Sequence, residues 1–113
     1  MNDELSRAVA TPLQLDLAGT ATHPVLTAQG EIDVATSPRL RTELTNLIGR
    51  GAIDITLQFA GVTFVDSSGL GVLVGAYKRL REEGDGQIRI VGAQQSVRKV
   101  FEITGLETAL LTD

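Results

Sequence analysis

The chain has 113 residues, of which 42% are hydrophobic and 4% aromatic, and its formal net charge at pH 7 is −4. This length and apolar content predict a single domain whose core is built mainly from aliphatic side chains. The acidic balance makes nucleic-acid binding unfavourable, and the lack of cysteine excludes disulfides and thiol chemistry.

The N-terminal ten residues, MNDELSRAVA, contain two acidic residues and no apolar centre, so they lack the pattern of a signal peptide. We expect residues 1–10 to form a loose segment of the single domain 1–113. The longest apolar stretch, residues 69–77, is too short to cross a membrane. We therefore expect a cytoplasmic protein with no membrane partner.

Two segments with alternating polarity predict the first strands. In PLQLDLAG, Leu13, Leu15 and Leu17 share one face of a half-buried strand. After the ATHP turn, VLTAQGEID begins a second strand at Val25 and ends in acidic residues. The short connection favours an antiparallel hairpin.

The segment TSPRLRTELTNLIGRG, residues 36–51, predicts the first helix. Ser37 is the expected N-cap, and Pro38 occupies the first helical position. Gly49 or Gly51 is expected to end the helix. The apolar stripe of this helix consists of Leu40, Leu44, Leu47 and Ile48.

The C-terminal half continues with strands and helices in alternation. A third strand, AIDITLQFAG, has one apolar face made of Ile53, Ile55, Leu57 and Phe59. QIRIVG predicts a fourth strand, whose apolar residues are Ile88 and Ile90. SVRKVFEITGL predicts a short helix with Ser96 as its N-cap, Gly105 as its C-cap and a stripe of Val97, Val100 and Phe101. TALLTD is a candidate for a final short strand.

The order of predicted elements is ββαβαβα, with the optional strand at the end. Alternating strands and helices after a hairpin predict parallel pairing with right-handed crossovers. Strands that alternate in polarity indicate a sheet with one buried face. The expected fold class is therefore α/β, with a four- to five-stranded mixed sheet and helices mainly on one face.

The segment GVTFVDSSGLGVLVGAYKRL, residues 61–80, joins a strand to a helix. Its helical spacing makes Ser67 or Ser68 the expected N-cap, with Asp66 as a favourable charge near the positive helix end. The unpaired N–H groups of a helix N-terminus also tolerate a phosphate, so one serine can be both a helix-starting residue and a modification site. Gly69, which lacks a side chain, would allow another protein to approach closely.

The 61–80 segment closely resembles the phosphorylation segment of bacterial anti-sigma factor antagonists, the small members of the STAS domain family. LTAQGEIDVATSPRLRTEL resembles the second strand and first helix of that family. QIRIVGAQQSVRKVFEITGLETAL resembles its last strand and helix. The resemblance extends from about Leu13 to Leu111 and implies a single STAS domain.

The resemblance also implies roles for particular residues. The serine directly after the aspartate, Ser67, corresponds to the family's phosphoacceptor. The adjoining motif is matched by Asp66, Ser68, Gly69 and Leu70. Asp33, at the end of GEID, matches an acidic position beside the same surface. Asp33 and the four residues of the adjoining motif are therefore expected to contact a partner.

By resemblance, the unphosphorylated protein binds an anti-sigma factor and frees a sigma factor for transcription. That anti-sigma factor is itself expected to be a serine kinase that inactivates this chain, and a PP2C-like phosphatase is expected to restore it. The implied protein is a regulator, with no enzyme activity, cofactor, metal or direct nucleic-acid contact of its own.

Other functions have weaker support in the sequence. A non-switched STAS scaffold in a stressosome-like or transport-associated complex would keep the same fold. A phosphorelay receiver, with Asp66 as acceptor, would need an acidic pair after the first strand and a lysine where Gly92 stands. A serine hydrolase would need a G-x-S-x-G elbow or a nearby base, and His23, the one histidine, lies in a turn.

Overall fold

The computed structural model describes residues 12–111, so the predicted loose segment, residues 1–10, lies outside the described residues. Within 12–111 the chain forms four strands and four helices. They are, in chain order, β1 (Gln14–Gly19), β2 (Pro24–Ile32), α1 (Ser37–Gly49), β3 (Asp54–Val65), α2 (Ser67–Glu83), β4 (Gln87–Val91), α3 (Gln95–Thr104) and α4 (Glu107–Leu110).

The strands form one mixed sheet in the order β1-β2-β3-β4. β1 is antiparallel to β2, whereas β2 pairs in parallel with β3 and β3 pairs in parallel with β4. The predicted hairpin and parallel pairing are therefore confirmed. Because α1 and α2 each connect parallel neighbours, both helices begin at the edge where β2 and β3 end.

One face of the sheet is buried and the other is largely open to solvent. In β2 every second residue from Pro24 to Ile32 is buried, and in β4 the buried residues are Ile88 and Ile90. The buried residues of α1, α2 and α3 belong to the same hydrophobic core as these strand residues. This burial pattern confirms the prediction of helices mainly on one face.

The sequence pattern overestimated burial at two places. Leu17 is 48% exposed because β1 packs mainly against β2 and not against the helices, although Leu13, just before the strand, is buried. Ile53 is also 48% exposed, because it precedes β3 and lies outside the strand. Its backbone N–H instead donates to the carbonyl oxygen of Thr22 in the β1–β2 turn.

The first helix begins differently from the prediction. Thr36 is its N-cap, Ser37 is its first helical residue and is buried, and Pro38 follows as the second. The reason lies in the preceding turn, where a carboxylate oxygen of Asp33 accepts hydrogen bonds from the backbone N–H groups of Ala35 and Thr36. This turn places Thr36 at the start of the helix.

The predicted N-cap of α3 is also wrong by two residues. Gln94, rather than Ser96, precedes the helix, and its carbonyl oxygen accepts from the backbone N–H of Arg98 at 2.8 Å. Ser96 therefore lies inside the first turn. The other end of the helix is as predicted, because Gly105 adopts a left-handed conformation with φ of 78°.

The candidate final strand is instead a short helix. After Gly105 the chain forms α4, whose last residue, Leu110, is buried in the core. Leu111 then makes a single parallel bridge to Ile90 of β4, and the last two residues of the predicted strand lie outside the described part of the chain. Leu110, which the predicted strand would have included, thus packs against the core from a helix instead.

The first turn of α2 packs directly against the end of β2. A Cβ atom at Gly69 would lie 2.6 Å from Cγ2 of Ile32 and 3.1 Å from Cγ1 of Val65. Ile32 is fully buried and branched at Cβ, so it has little freedom to move aside. Gly69 therefore provides space for its own chain, and the close approach of another protein at this residue stays a prediction.

We expect Gly69→Ala to lower the free energy of unfolding by about 1–3 kcal/mol, because the added methyl group overpacks this contact. The matched control is Gly71→Ala, since a Cβ atom there meets nothing within 4 Å. The free energy of unfolding of this control should rise by about 0.5–1 kcal/mol, because alanine has a better helix propensity than glycine. Urea unfolding measures both, and equal stability of the two variants would contradict the packing argument.

Candidate functional site

The predicted site residues lie where β2 and β3 end and α1 and α2 begin. Asp33 directly follows β2 and Asp66 directly follows β3. The backbone N–H of Asp66 donates to the carbonyl oxygen of Ile32 at 3.1 Å, and the backbone N–H of Val34 lies near enough to the Asp66 carboxylate to lower its pKa. The structure thus brings the two acidic segments together at one edge of the sheet.

The N-cap of α2 is Asp66, not either serine. One carboxylate oxygen, Oδ1, accepts from the backbone N–H groups of Ser68 at 2.9 Å and Gly69 at 3.1 Å. The extended backbone of Asp66, with φ of −104° and ψ of −172°, ends the strand and aims the carboxylate at the first turn. Two N–H groups expected to be available for a phosphate are therefore already occupied.

The same carboxylate oxygen accepts a third hydrogen bond, from the hydroxyl group of Ser68 at 2.5 Å. This hydroxyl is the main cause that lowers the pKa of Asp66 below its ordinary value of 3.8. Backbone N–H groups, including those of Gly69 and Val34, lower the pKa further, while burial opposes them. Asp66 is therefore a fixed negative charge at neutral pH.

The two adjacent serines differ in exposure and in bonding. Ser68 is partly buried, and its hydroxyl donates to Asp66. Ser67, the first helical residue, is exposed, and within residues 12–111 its hydroxyl has no hydrogen-bond partner. A modifying enzyme could reach the hydroxyl of Ser67 without breaking an existing interaction. The hydroxyl of Ser68 would first have to break its hydrogen bond to Asp66.

The other predicted site residues have roles within the fold. Leu70 is only 8% exposed and belongs to the core, and Gly69 is buried. Asp33 is partly buried and uses Oδ1 to hold the turn before α1, where it also accepts from the hydroxyl of Thr36 at 3.1 Å. Their contacts with a partner stay predictions, and for Leu70 and Gly69 any effect on binding would act through the position of α2.

Two exposed apolar side chains beside this edge were missed by the sequence interpretation. Val34, in the turn after Asp33, is 76% exposed, and Phe64, near the end of β3, is 47% exposed. A single exposed apolar side chain is ordinary, but both of these flank the proposed acceptor segment. The sequence features that could have predicted these exposed side chains are the apolar residue directly after GEID and the aromatic residue two positions before Asp66.

The histidine lies at the opposite edge of the sheet, where β2 and β3 start. His23 Nε2 is 3.4 Å from Oδ2 of Asp54, and Nδ1 is 3.0 Å from Oγ1 of Thr22. It therefore cannot serve as a base for Ser67 or Ser68. In the described part of the chain, no three histidine or acidic side chains form a group that would hold a metal, and no helix is long and apolar enough to span a membrane.

Comparisons with known proteins agree with this architecture. The sequence profile of the STAS domain matches residues 14–112. A protein of Staphylococcus aureus strain NCTC 8325 named anti-sigma-B factor antagonist is 40% identical over 78 residues, which span 69% of this chain and 71% of that protein.

Two solved structures of the anti-sigma factor antagonist SpoIIAA have the same fold. The unphosphorylated form has a TM-score of 0.77 and 25% identity, covering 88% of this chain and 89% of that one. The phosphorylated form, from Bacillus, has a TM-score of 0.70 and 25% identity, covering 88% and 92%. The predicted α/β class with a mixed sheet is confirmed.

The cap makes a testable prediction about pH. The folded-state pKa of Asp66 is below its ordinary value of 3.8, so its stabilising effect is fully present well above that pH and is lost as the pH falls through the lower folded-state value. Asp66→Ala should therefore be less stable than the wild type by about 1 kcal/mol near neutral pH. The difference should shrink on acidification.

Urea unfolding at neutral and acidic pH provides this measurement. Asp85→Ala is a suitable control, because Asp85 is exposed in the loop between α2 and β4. It should stay close to the wild type at neutral pH. If Asp66→Ala lowers the free energy of unfolding by the same amount at both pH values, the ionised carboxylate does not stabilise the helix.

Proposed function

The chain belongs to the STAS domain family, and we propose that it is an anti-sigma factor antagonist controlled by phosphorylation of Ser67. The observation that carries the proposal is the exposed, uncommitted hydroxyl of Ser67 at the first residue of α2. It is supported by the name of the Staphylococcus aureus relative and by the likeness to both forms of SpoIIAA.

In the proposed cycle, the unmodified protein binds an anti-sigma factor that is also a serine kinase, and the sigma factor is released. The kinase transfers the γ-phosphoryl group of ATP to Oγ of Ser67, which loses its proton, and ADP leaves. A PP2C-like phosphatase then uses water to cleave the phosphate ester, which regenerates serine and inorganic phosphate. The chain itself catalyses neither step, so it acts as a regulator without a cofactor.

Phosphorylation is expected to leave the helix N-terminus intact. The N–H groups of Ser68 and Gly69 remain bonded to Asp66, so a phosphate on Ser67 stays at the surface beside that carboxylate. The local backbone therefore has no reason to rearrange. The effect of the phosphate falls on the surface that a partner would contact.

The change in charge is large enough to release a partner. A phosphoserine adds about −1.5 to −2 charges next to Asp66 and near Asp33. Packing this charge against a protein surface that offers no counter-charge costs several kcal/mol, and about 4 kcal/mol weakens a complex roughly a thousandfold. The exposed side chains of Val34 and Phe64 offer the apolar contact area that such an interface needs.

The proposed partners determine the proposed location. A kinase that uses ATP and a sigma factor that acts in transcription place this chain in the cytoplasm, with no direct contact to nucleic acid or membrane. A STAS scaffold in a stressosome-like or transport-associated complex would share the fold but would not need the free hydroxyl of Ser67. Phosphorylation by a cognate kinase therefore separates the two functions.

The test is to incubate the protein with the anti-sigma factor kinase encoded in its own genome and ATP, and to map phosphate by peptide mass spectrometry. We expect phosphate on Ser67 in the wild type and none in Ser67→Ala, which should bind the kinase constitutively. Ser68→Ala is the matched control. It loses one hydrogen bond to Asp66, worth about 1 kcal/mol, and should still be phosphorylated on Ser67.

Two results would overturn the proposal. Phosphate on Ser68, or full incorporation into Ser67→Ala, would show that the acceptor is assigned to the wrong residue. A wild type that neither binds such a kinase nor accepts phosphate would favour the scaffold function.

A further inference from the structure

A groove separates α1 from α2 on the outside of the domain. The side chains of Arg41 and Thr45 line it from α1, and Gly71, Gly75 and Arg79 line it from α2. The two helices contact each other and both begin at the edge of the sheet where β2 and β3 end. They therefore run in the same direction, with their N-termini side by side.

Ser67 begins α2 and lies one helical turn before Gly71, the first groove residue of that helix. Residues four apart share one face of a helix, so Ser67, Gly71 and Gly75 form a single row along α2. A Cβ atom at Gly71 or Gly75 would meet nothing within 4 Å. No side chain of this row therefore stands between Ser67 and the groove.

Arg41, one helical turn into α1, lines the same groove as Gly71, one helical turn into α2. Side chains on a helix lean toward its N-terminus and cover the preceding turn. An Arg41 side chain with this preference extends toward the start of the parallel helix α2, where Ser67 lies one turn before Gly71. The axes of packed helices lie about 8–10 Å apart, a separation that an arginine and a phosphoserine can bridge together.

Within residues 12–111 the guanidinium group of Arg41 also has no bonding partner, unlike those of Arg39 and Arg79. Arg39 donates from Nη1 to the carbonyl oxygen of Leu13, and Arg79 pairs with Glu83 at 3.1 Å. Arg41 is exposed, and in the range 12–111 its side chain makes no hydrogen bond or ion pair. A cation held beside an acceptor serine without a partner of its own can take a phosphate without giving up an existing interaction.

We propose that Arg41 binds the phosphate of phosphorylated Ser67 and holds it at the mouth of the α1–α2 groove. This inference rests on the proposed function and adds the residue that receives the phosphate. The planar guanidinium group matches phosphate oxygens through paired hydrogen bonds. The pair offsets the repulsion between the phosphate and the nearby carboxylates of Asp66 and Asp33. It also withdraws a positive charge from the surface that a partner would contact.

The experiment uses the full chain with phosphoserine incorporated at position 67 during translation, so that no kinase is needed. The second pKa of the phosphate is measured by phosphorus NMR titration. An adjacent cation favours the dianion, so Arg41→Gln should raise this pKa by about 0.5 unit relative to the parent phosphoprotein. Arg41→Lys, which keeps the charge, should recover most of the parent value.

Arg79→Gln is the matched control, because Arg79 lines the same groove but lies about 18 Å from Ser67 along the helix axis. It should leave the pKa of the phosphate unchanged. Equal phosphate pKa values in the parent and Arg41→Gln would overturn the inference, as would an equal rise in Arg79→Gln. Because the phosphate is installed without the kinase, this outcome is independent of whether the kinase modifies Ser67.

Discussion

The structure of the site depends on one carboxylate oxygen. Oδ1 of Asp66 accepts from the hydroxyl and N–H of Ser68 and from the N–H of Gly69, which fixes the first turn of α2. The contact of Gly69 with Ile32 seats that turn against the end of β2. These constraints use the hydroxyl of Ser68 and leave that of Ser67 exposed. The cap therefore selects one of two adjacent serines as the accessible one.

This arrangement explains how a modification can change binding without refolding the domain. A phosphate on Ser67 does not compete for the N–H groups that Asp66 holds, so the helix keeps its cap. The additional charge appears instead beside a carboxylate that is already ionised. In our proposal Arg41 takes up that charge within the chain, so phosphorylation changes the surface in two ways. It adds negative charge, and it engages a positive one.

The sequence was sufficient to predict the sheet, its pairing and its buried face, because the period of apolar residues reports directly on burial. The predicted N-caps, Ser37 and Ser67 or Ser68, were wrong because each start offers several cap-forming residues. The choice depends on where the preceding strand ends. The role of Gly69 and the exposure of Phe64 depend on contacts between distant segments, which one-dimensional spacing does not contain.

We propose that a phosphate on Ser67 controls the affinity for a partner. It is tested most directly by calorimetric titration of the anti-sigma factor kinase against the unmodified chain and against the chain carrying phosphoserine at position 67. We expect the dissociation constant of the phosphorylated form to be about a thousandfold higher, which corresponds to about 4 kcal/mol. Equal dissociation constants for the two forms would contradict it.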